Sequence, residues 1–117
     1  MGKLTTHVLD TAHGKPGADI NVSLYRVDGD TLQHVITTTT NSDGRTDEPL
    51  LEANGLLVGK YQLQFNTADY FRNAGVSLSD TPFLDDVIIR FGVDDANSHY
   101  HVPLLVSPYS FSTYRGS

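Results

Sequence analysis

The chain of 117 residues contains no cysteine and no tryptophan. Without cysteine it forms no disulfide and offers no thiol as a nucleophile. No apolar run approaches the roughly 20 residues that a membrane-spanning helix requires. The N-terminal sequence also lacks the apolar segment of a secretory signal peptide. We therefore expect a cytoplasmic protein with no membrane partner, since a periplasmic location would require that a leader has been removed.

Positive charge is scarce as well, because 8 lysines and arginines stand against 14 acidic residues and give a net charge of -6. Nucleic-acid binders cluster basic residues to neutralise phosphates, and here these residues are scattered. We therefore expect no nucleic-acid partner. The content of 38% hydrophobic and 19% charged residues is typical of globular proteins. The length suits a single domain over residues 1–117.

Short stretches of alternating apolar and polar residues recur along the chain and are separated by turn sequences. This pattern is typical of an antiparallel sandwich or barrel. We predict strands at residues 4–10, 20–27, 32–40, 59–67, 85–93, 99–106 and 111–115. Thr67 is expected to cap one short helix that ends near Gly75. The sequence therefore predicts an all-β sandwich of seven or eight strands with one short helix.

Three histidines are candidates for acid–base chemistry near neutral pH. His7 lies in the middle of a predicted strand, where a histidine is most often a satisfied residue of the core or of an interface. His99 and His101 are two residues apart on a strand and therefore share a face. Together with His7 they would resemble a three-histidine zinc site. Because such spacing is common by chance, an exposed pair is the better interpretation of His99 and His101.

Two further features have both an ordinary and a functional interpretation. Arg45 follows a turn, where arginine is normally solvated, although its planar fork also suits a planar anion or an amide carbonyl. Tyr114 begins a terminal tetrapeptide, and such ends are ordinarily frayed. Because Tyr114 follows an alternating run, it can also continue a paired strand and bring a hydroxyl into a site. Adjacent acidic pairs such as Asp94 and Asp95 are interpreted as solvated turns.

Taken together, these residues resemble the 5-hydroxyisourate hydrolases of the transthyretin-like family. Four blocks carry the resemblance: LTTHVLDT at residues 4–11 with GKP at 14–16, TNSDGR at 40–45, YHVPLL at 100–105 with SP at 107–108, and YRGS at 114–117. The C-terminal block is the most specific, because it is similar to the tetrapeptide that separates the hydrolases from the hormone carrier transthyretin. Since the resemblance covers essentially the whole chain, from near Met1 to Ser117, we expect a complete protein.

The resemblance implies a transthyretin-like (prealbumin-like) sandwich of two four-stranded sheets. It also implies a homotetramer, a dimer of dimers, with active sites at the dimer–dimer interface. The implied reaction is the hydrolysis of 5-hydroxyisourate to 2-oxo-4-hydroxy-4-carboxy-5-ureidoimidazoline in urate degradation, a part of purine catabolism. Carried over by position, the site comprises the catalytic residues His7, Arg45 and His101 and the substrate-binding residues Tyr114 and Ser117.

The implied mechanism requires no cofactor and no metal. The imidazoles of His7 and His101 would activate water and transfer its proton, and the sequence does not determine which of them is the base. Arg45 would orient the substrate and stabilise the developing charge. His99 matches no site position of the family. The alternatives are a non-enzymatic, transthyretin-like small-molecule carrier and a structural β-sandwich module of a larger protein.

Overall fold

Two β-sheets pack against each other in the computed structural model, which describes residues 1–116. The strands are β1 Lys3–Asp10, β2 Lys15–Pro16, β3 Asn21–Asp28, β4 Thr31–Thr39, β5 Leu51–Glu52, β6 Gly59–Phe65, β7 Val87–Val93, β8 His99–Val106 and β9 Phe111–Ser112. The helix α1 spans Thr67–Asn73, and a short 3₁₀ turn spans Ala53–Gly55. Within the described residues, the predicted all-β sandwich with one short helix is confirmed. No helix in this part of the chain is both long and apolar enough to cross a membrane.

The local alternation located the long strands to within a few residues, but it did not predict the two-residue strands β2 and β5, so the described residues contain nine strands and not seven or eight. The last strand is shorter than predicted, because β9 ends at Ser112. Thr67 is the first residue of α1 and not its cap, a position that belongs to Asn66. The Thr67 hydroxyl instead donates a hydrogen bond of 2.9 Å to the carbonyl of Asp85. This contact fixes the start of the helix against the segment that enters β7.

The two sheets have the strand orders β2-β1-β8-β9 and β4-β3-β6-β7. Each order has the expected four strands, and the two-residue β5 adds to the first sheet by pairing with the beginning of β1. The long strands β1 and β8 run parallel over eight residue pairs. This pairing sets Lys3 opposite His99 and Thr5 opposite His101. The N-terminal and C-terminal sequence blocks therefore lie side by side in the first sheet.

Alternation along β1 and β8 separates a core face from an outer face. The inward residues of these strands are buried and pack against β3 and β6, where Leu24 and Leu63 are fully buried. Each such aliphatic side chain contributes about 1.5–3 kcal/mol by leaving water. Thr6 belongs to the core face, where its hydroxyl donates to the Val102 carbonyl at 2.7 Å. His7 therefore lies on the outer face, half-buried, and is not a core histidine of this chain.

A buried carboxylate joins α1 to the first sheet. Asp10, at the end of β1, accepts hydrogen bonds from the Tyr70 hydroxyl at 2.6 Å and from His13 Nδ1 at 2.6 Å. The backbone N–H of Ala12 donates to the same carboxylate at 3.0 Å. Burial acts to raise the pKa of Asp10, but the hydrogen bonds from Tyr70 and His13 outweigh it and lower the pKa. Burial and the adjacent carboxylate raise the pKa of Tyr70, so its hydroxyl remains a donor.

Candidate active site

The outer face of the first sheet carries a cleft of about 470 Å³. Two strands and one loop form it, because β1 and β8 supply one wall and the segment after Gly44 supplies the other. The polar residues that line it include Thr5, Arg45, Asp47, Glu48, His99 and His101. The cleft therefore joins three of the four sequence blocks on one surface.

The loop after β4 is built to hold Arg45 against β1. The Asn41 side chain accepts hydrogen bonds from the backbone N–H groups of Asp43 at 2.9 Å and Arg45 at 3.2 Å. Gly44 has a φ of 76°, and its carbonyl accepts a 2.8 Å bond from the Val8 N–H. A Cβ at Gly44 would lie 2.3 Å from the Val8 carbonyl oxygen, so only glycine fits. The turn thus delivers Arg45 into an isolated antiparallel bridge with β1.

His7 is the bridge partner of Arg45. Its Nε2 lies 2.9 Å from the carbonyl oxygen of Asp43. Because a carbonyl oxygen only accepts, Nε2 carries the proton and Nδ1 keeps its lone pair. Burial, and then the Arg45 guanidinium, lower the pKa of His7, while contacts with Asp43 oppose them. His7 is therefore neutral at pH 7 and able to accept a proton.

His101 lies opposite Thr5 in the parallel pair of strands. Its Nδ1 is 2.9 Å from the Thr5 hydroxyl oxygen, which is also 2.8 Å from Nε2 of His99. Burial lowers the pKa of His101, and electrostatic interactions with Arg45, His7 and His99 lower it further. This histidine is also neutral at pH 7, and its Nε2 is the ring nitrogen that Thr5 leaves for other partners.

The C-terminal segment passes beside His101. The Gly116 N–H donates a 2.7 Å hydrogen bond to the His101 carbonyl, and the two residues form an isolated antiparallel bridge. A Cβ at Gly116 would lie 2.9 Å from Cδ2 of the His101 ring. Tyr114 is 60% exposed and lines a different depression, beside β7 and Arg115, so within one chain it does not reach the cleft. Ser117 lies outside the described residues.

Three of the residues expected to form the site, His7, Arg45 and His101, therefore come together at the outer face of the first sheet. Sequence reasoning missed Thr5 and set His99 aside, although both line the cleft. The shared face of His99 and His101 was a usable signal, but the parallel partner β1 could not be read from local patterns. Among residues 1–116, no three His, Cys, Asp or Glu side chains converge to hold a metal ion. The three-histidine zinc arrangement is therefore not formed by these residues.

His7, Arg45 and His101 together define an acid–base type of site on the outer face of a β-sandwich. Two neutral imidazoles suit general base and general acid catalysis near neutrality. A guanidinium beside them suits a developing oxyanion or a planar polar group. The site is thus equipped for hydrolysis of a small polar molecule by proton transfer and charge stabilisation.

Comparison with known proteins gives the family. A sequence model of the HIUase/Transthyretin family matches residues 4–116, and the chain belongs to this family. A protein of Pseudomonas aeruginosa named 5-hydroxyisourate hydrolase is 58% identical over 117 residues, which are 100% of this chain and 93% of that protein.

Solved structures agree with this assignment. The structure of Klebsiella pneumoniae 5-hydroxyisourate hydrolase matches with a TM-score of 0.82 and 33% identity, over the full length of both chains. The crystal structure of an (S)-allantoin synthase matches with a TM-score of 0.94 and 45% identity over 99% of this chain. This chain spans only 44% of that synthase. The expected transthyretin-like sandwich is therefore confirmed.

Proposed function

We propose that this chain hydrolyses 5-hydroxyisourate to 2-oxo-4-hydroxy-4-carboxy-5-ureidoimidazoline in urate degradation. The observation that carries the proposal is the convergence of His7, Arg45 and His101 on one open sheet face. The relative from Pseudomonas aeruginosa that bears the name of this hydrolase covers the whole chain at 58% identity, which supports the same substrate.

The chemistry follows from what each side chain can do. The substrate is a flat, polar heterocycle with a cyclic acyl C–N bond, and water must attack its carbonyl carbon. The histidine pair takes a proton from that water and delivers one to the leaving nitrogen, since His7 and His101 each keep one ring nitrogen for this purpose. Arg45 stabilises the oxyanion that forms on the attacked carbonyl and orients the ring through its planar fork.

We also propose that the working unit is a homotetramer with its sites at the dimer–dimer interface. The cleft opens on the outer face of the first sheet, where β8 also presents Pro103 and the half-buried Leu105. A strand that is apolar on both faces requires a second burying surface besides the core. In such an assembly Tyr114 and Ser117 would bind substrate by shaping or closing the pocket. The cytoplasmic location expected from the sequence stays a prediction.

The proposal is tested by generating 5-hydroxyisourate from urate with urate oxidase and following its decay in the near-ultraviolet. The protein, after exhaustive treatment with a chelator, should accelerate the decay in proportion to its concentration. Binding of the compound without acceleration would replace the hydrolase with the carrier alternative. Loss of activity on chelation and recovery with zinc would contradict the metal-free mechanism.

A further inference from the structure

The hydroxyl of Thr5 lies between two histidine rings whose centroids are 6.3 Å apart. Its oxygen is 2.8 Å from Nε2 of His99 and 2.9 Å from Nδ1 of His101. Thr5 belongs to β1, and both histidines belong to the parallel strand β8, so the backbone pairing of the sheet fixes this arrangement. Thr5 and both histidines are half-buried on the cleft side of the sheet.

A threonine hydroxyl has a single proton, and this couples the two rings. If Thr5 donates its proton to His99 Nε2, its oxygen can only accept a hydrogen bond from His101, so His101 Nδ1 must carry a proton. If Thr5 instead donates to His101 Nδ1, then His99 Nε2 must carry a proton. The first arrangement leaves Nε2 of His101 with a free lone pair. In the second arrangement, the single proton of the neutral His101 ring lies on Nε2, so that nitrogen cannot act as a base.

Only the first arrangement prepares His101 for the reaction. When Nε2 takes a proton from water, Nδ1–H continues to donate to Thr5, and Thr5 continues to donate to His99. No hydrogen bond has to be broken as the charge develops, which is the property of a preorganised site. A general base also works best when its orientation is already fixed before the proton moves.

We propose that Thr5 and His99 are positioning residues that hold His101 in the Nδ1–H tautomer, with Nε2 as the proton acceptor in the cleft. This inference rests on the proposed function, because it concerns the same reacting histidine. It assigns His99 a role through Thr5 and not through contact with the substrate.

The direct test is nitrogen NMR of the full-length protein labelled with ¹⁵N-histidine, at a pH where the rings are neutral. The chemical shifts should show a protonated Nδ1 and an unprotonated Nε2 for His101, and an unprotonated Nε2 for His99. Thr5→Val has nearly the same shape but no hydroxyl, so His101 should become a mixture of tautomers. Thr5→Ser restores the hydroxyl and should restore the single tautomer.

The same variants are then compared in the hydrolysis assay. Thr5→Val should lower kcat by about 10- to 100-fold with KM changed by less than about twofold, since it disturbs the base and not binding. Thr5→Ser should recover most of kcat. The matched control is Thr37→Val, because Thr37 makes a similar 2.7 Å contact with His34 on the exposed strand β4. This control should leave kcat and the His101 tautomer unchanged.

Two substitutions of His99 sharpen the test. In His99→Gln, the amide oxygen can reach the position of Nε2 and still accept from Thr5, so the His101 tautomer should be kept and kcat should fall by less than about threefold. In His99→Phe, Thr5 loses that acceptor and turns its proton to His101 Nδ1. That variant should shift His101 to the Nε2–H tautomer and lower kcat as much as Thr5→Val does.

The outcomes separate the inference from the proposed function. An Nε2–H tautomer in the unmodified protein would overturn the inference even if hydrolysis is fast. A normal kcat in Thr5→Val would overturn it as well. If the unmodified protein fails to hydrolyse 5-hydroxyisourate, the proposed function fails, while the tautomer measurement still decides whether Thr5 and His99 fix the ring.

Discussion

Arg45 and His7 form an isolated antiparallel bridge on the outer face of the first sheet, and the positive charge of Arg45 lowers the pKa of the His7 imidazole in addition to burial. The same guanidinium is close enough to His101 to lower its pKa together with burial. A base must be neutral to accept a proton, and a lowered pKa keeps both rings neutral in mildly acidic solution. This relationship leads directly to a pH dependence.

We expect the acid limb of kcat/KM to lie below the ordinary histidine pKa of about 6.5. Activity should be lost as the pH falls through the lowered pKa values of His7 and His101, because their protonation removes the bases. Arg45→Gln removes the nearby charge and should shift the acid limb to higher pH. The shift should recover only part of the distance to the ordinary histidine pKa, since burial is the larger cause of the lowered pKa values. Arg45→Lys keeps the charge and should leave the limb in place. An acid limb that is unaffected by Arg45→Gln would contradict this electrostatic coupling.

A second prediction concerns Gly116, which forms an isolated antiparallel bridge with His101. In Gly116→Ala the new Cβ would approach Cδ2 of the ring to 2.9 Å, so the ring or the C-terminal segment must shift. A displacement on that scale should lower kcat by about 10- to 100-fold. Gly55→Ala is the matched control, because its Cβ would meet only the Leu51 side chain at 3.8 Å. Equal kcat values for the two variants would show that the C-terminal segment does not position His101.

Tyr70 gives a prediction about stability. Tyr70→Phe removes a 2.6 Å hydrogen bond to the buried carboxylate of Asp10, which should cost about 1.5–3 kcal/mol in unfolding free energy. Since the folded pKa of Asp10 is lowered, its contribution is present above the unfolded pKa of about 3.9 and is lost as the pH falls through the folded value. Urea unfolding at neutral and acidic pH measures both effects. Tyr25→Phe is the control, because the Tyr25 hydroxyl has no hydrogen-bond partner among residues 1–116. If the difference in unfolding free energy between Tyr70→Phe and the unmodified protein persists unchanged at pH values below the folded pKa of Asp10, this account of Asp10 is contradicted.

The proposed assembly is tested by light scattering at micromolar concentration, where the mass should be near that of four chains. Leu105→Glu places a charge on the outer face of β8 and should dissociate the assembly and reduce activity. Leu32→Glu, on the exposed strand β4, should do neither. A strictly monomeric protein with full activity would remove the interface model.

The sequence allowed most of the fold to be predicted because strand alternation is local. In the strand predicted at residues 85–93, the alternating residues Val87, Ile89 and Val93 are buried, and Phe91 on the same face is half-buried. The structure of the C-terminal segment was harder to predict from the sequence. The strand β9 stops at Ser112, and Gly116 is held by an isolated bridge to His101. No local pattern encodes such a bridge.

The site was predicted in part. His7, Arg45 and His101 were named through the family resemblance, and the strand phase of His99 and His101 was visible in their spacing. The partnership with Thr5 was not visible, because it depends on the parallel pairing of β1 with β8 across more than ninety residues. Tyr114 remains a prediction, since within one chain it lines a different depression.

The central claim is that His101 and Arg45 carry out the hydrolysis, and it is tested most directly by kcat for two conservative variants. His101→Asn keeps polarity and approximate size but cannot act as a base, and Arg45→Lys keeps the charge but loses the planar fork. Each should lose at least about a hundredfold in kcat, with the fold and oligomer intact. His34→Asn, on the exposed strand β4, is the control and should retain full activity. If both variants turn over 5-hydroxyisourate at near-normal rates, this constellation does not catalyse the reaction and the carrier alternative takes its place.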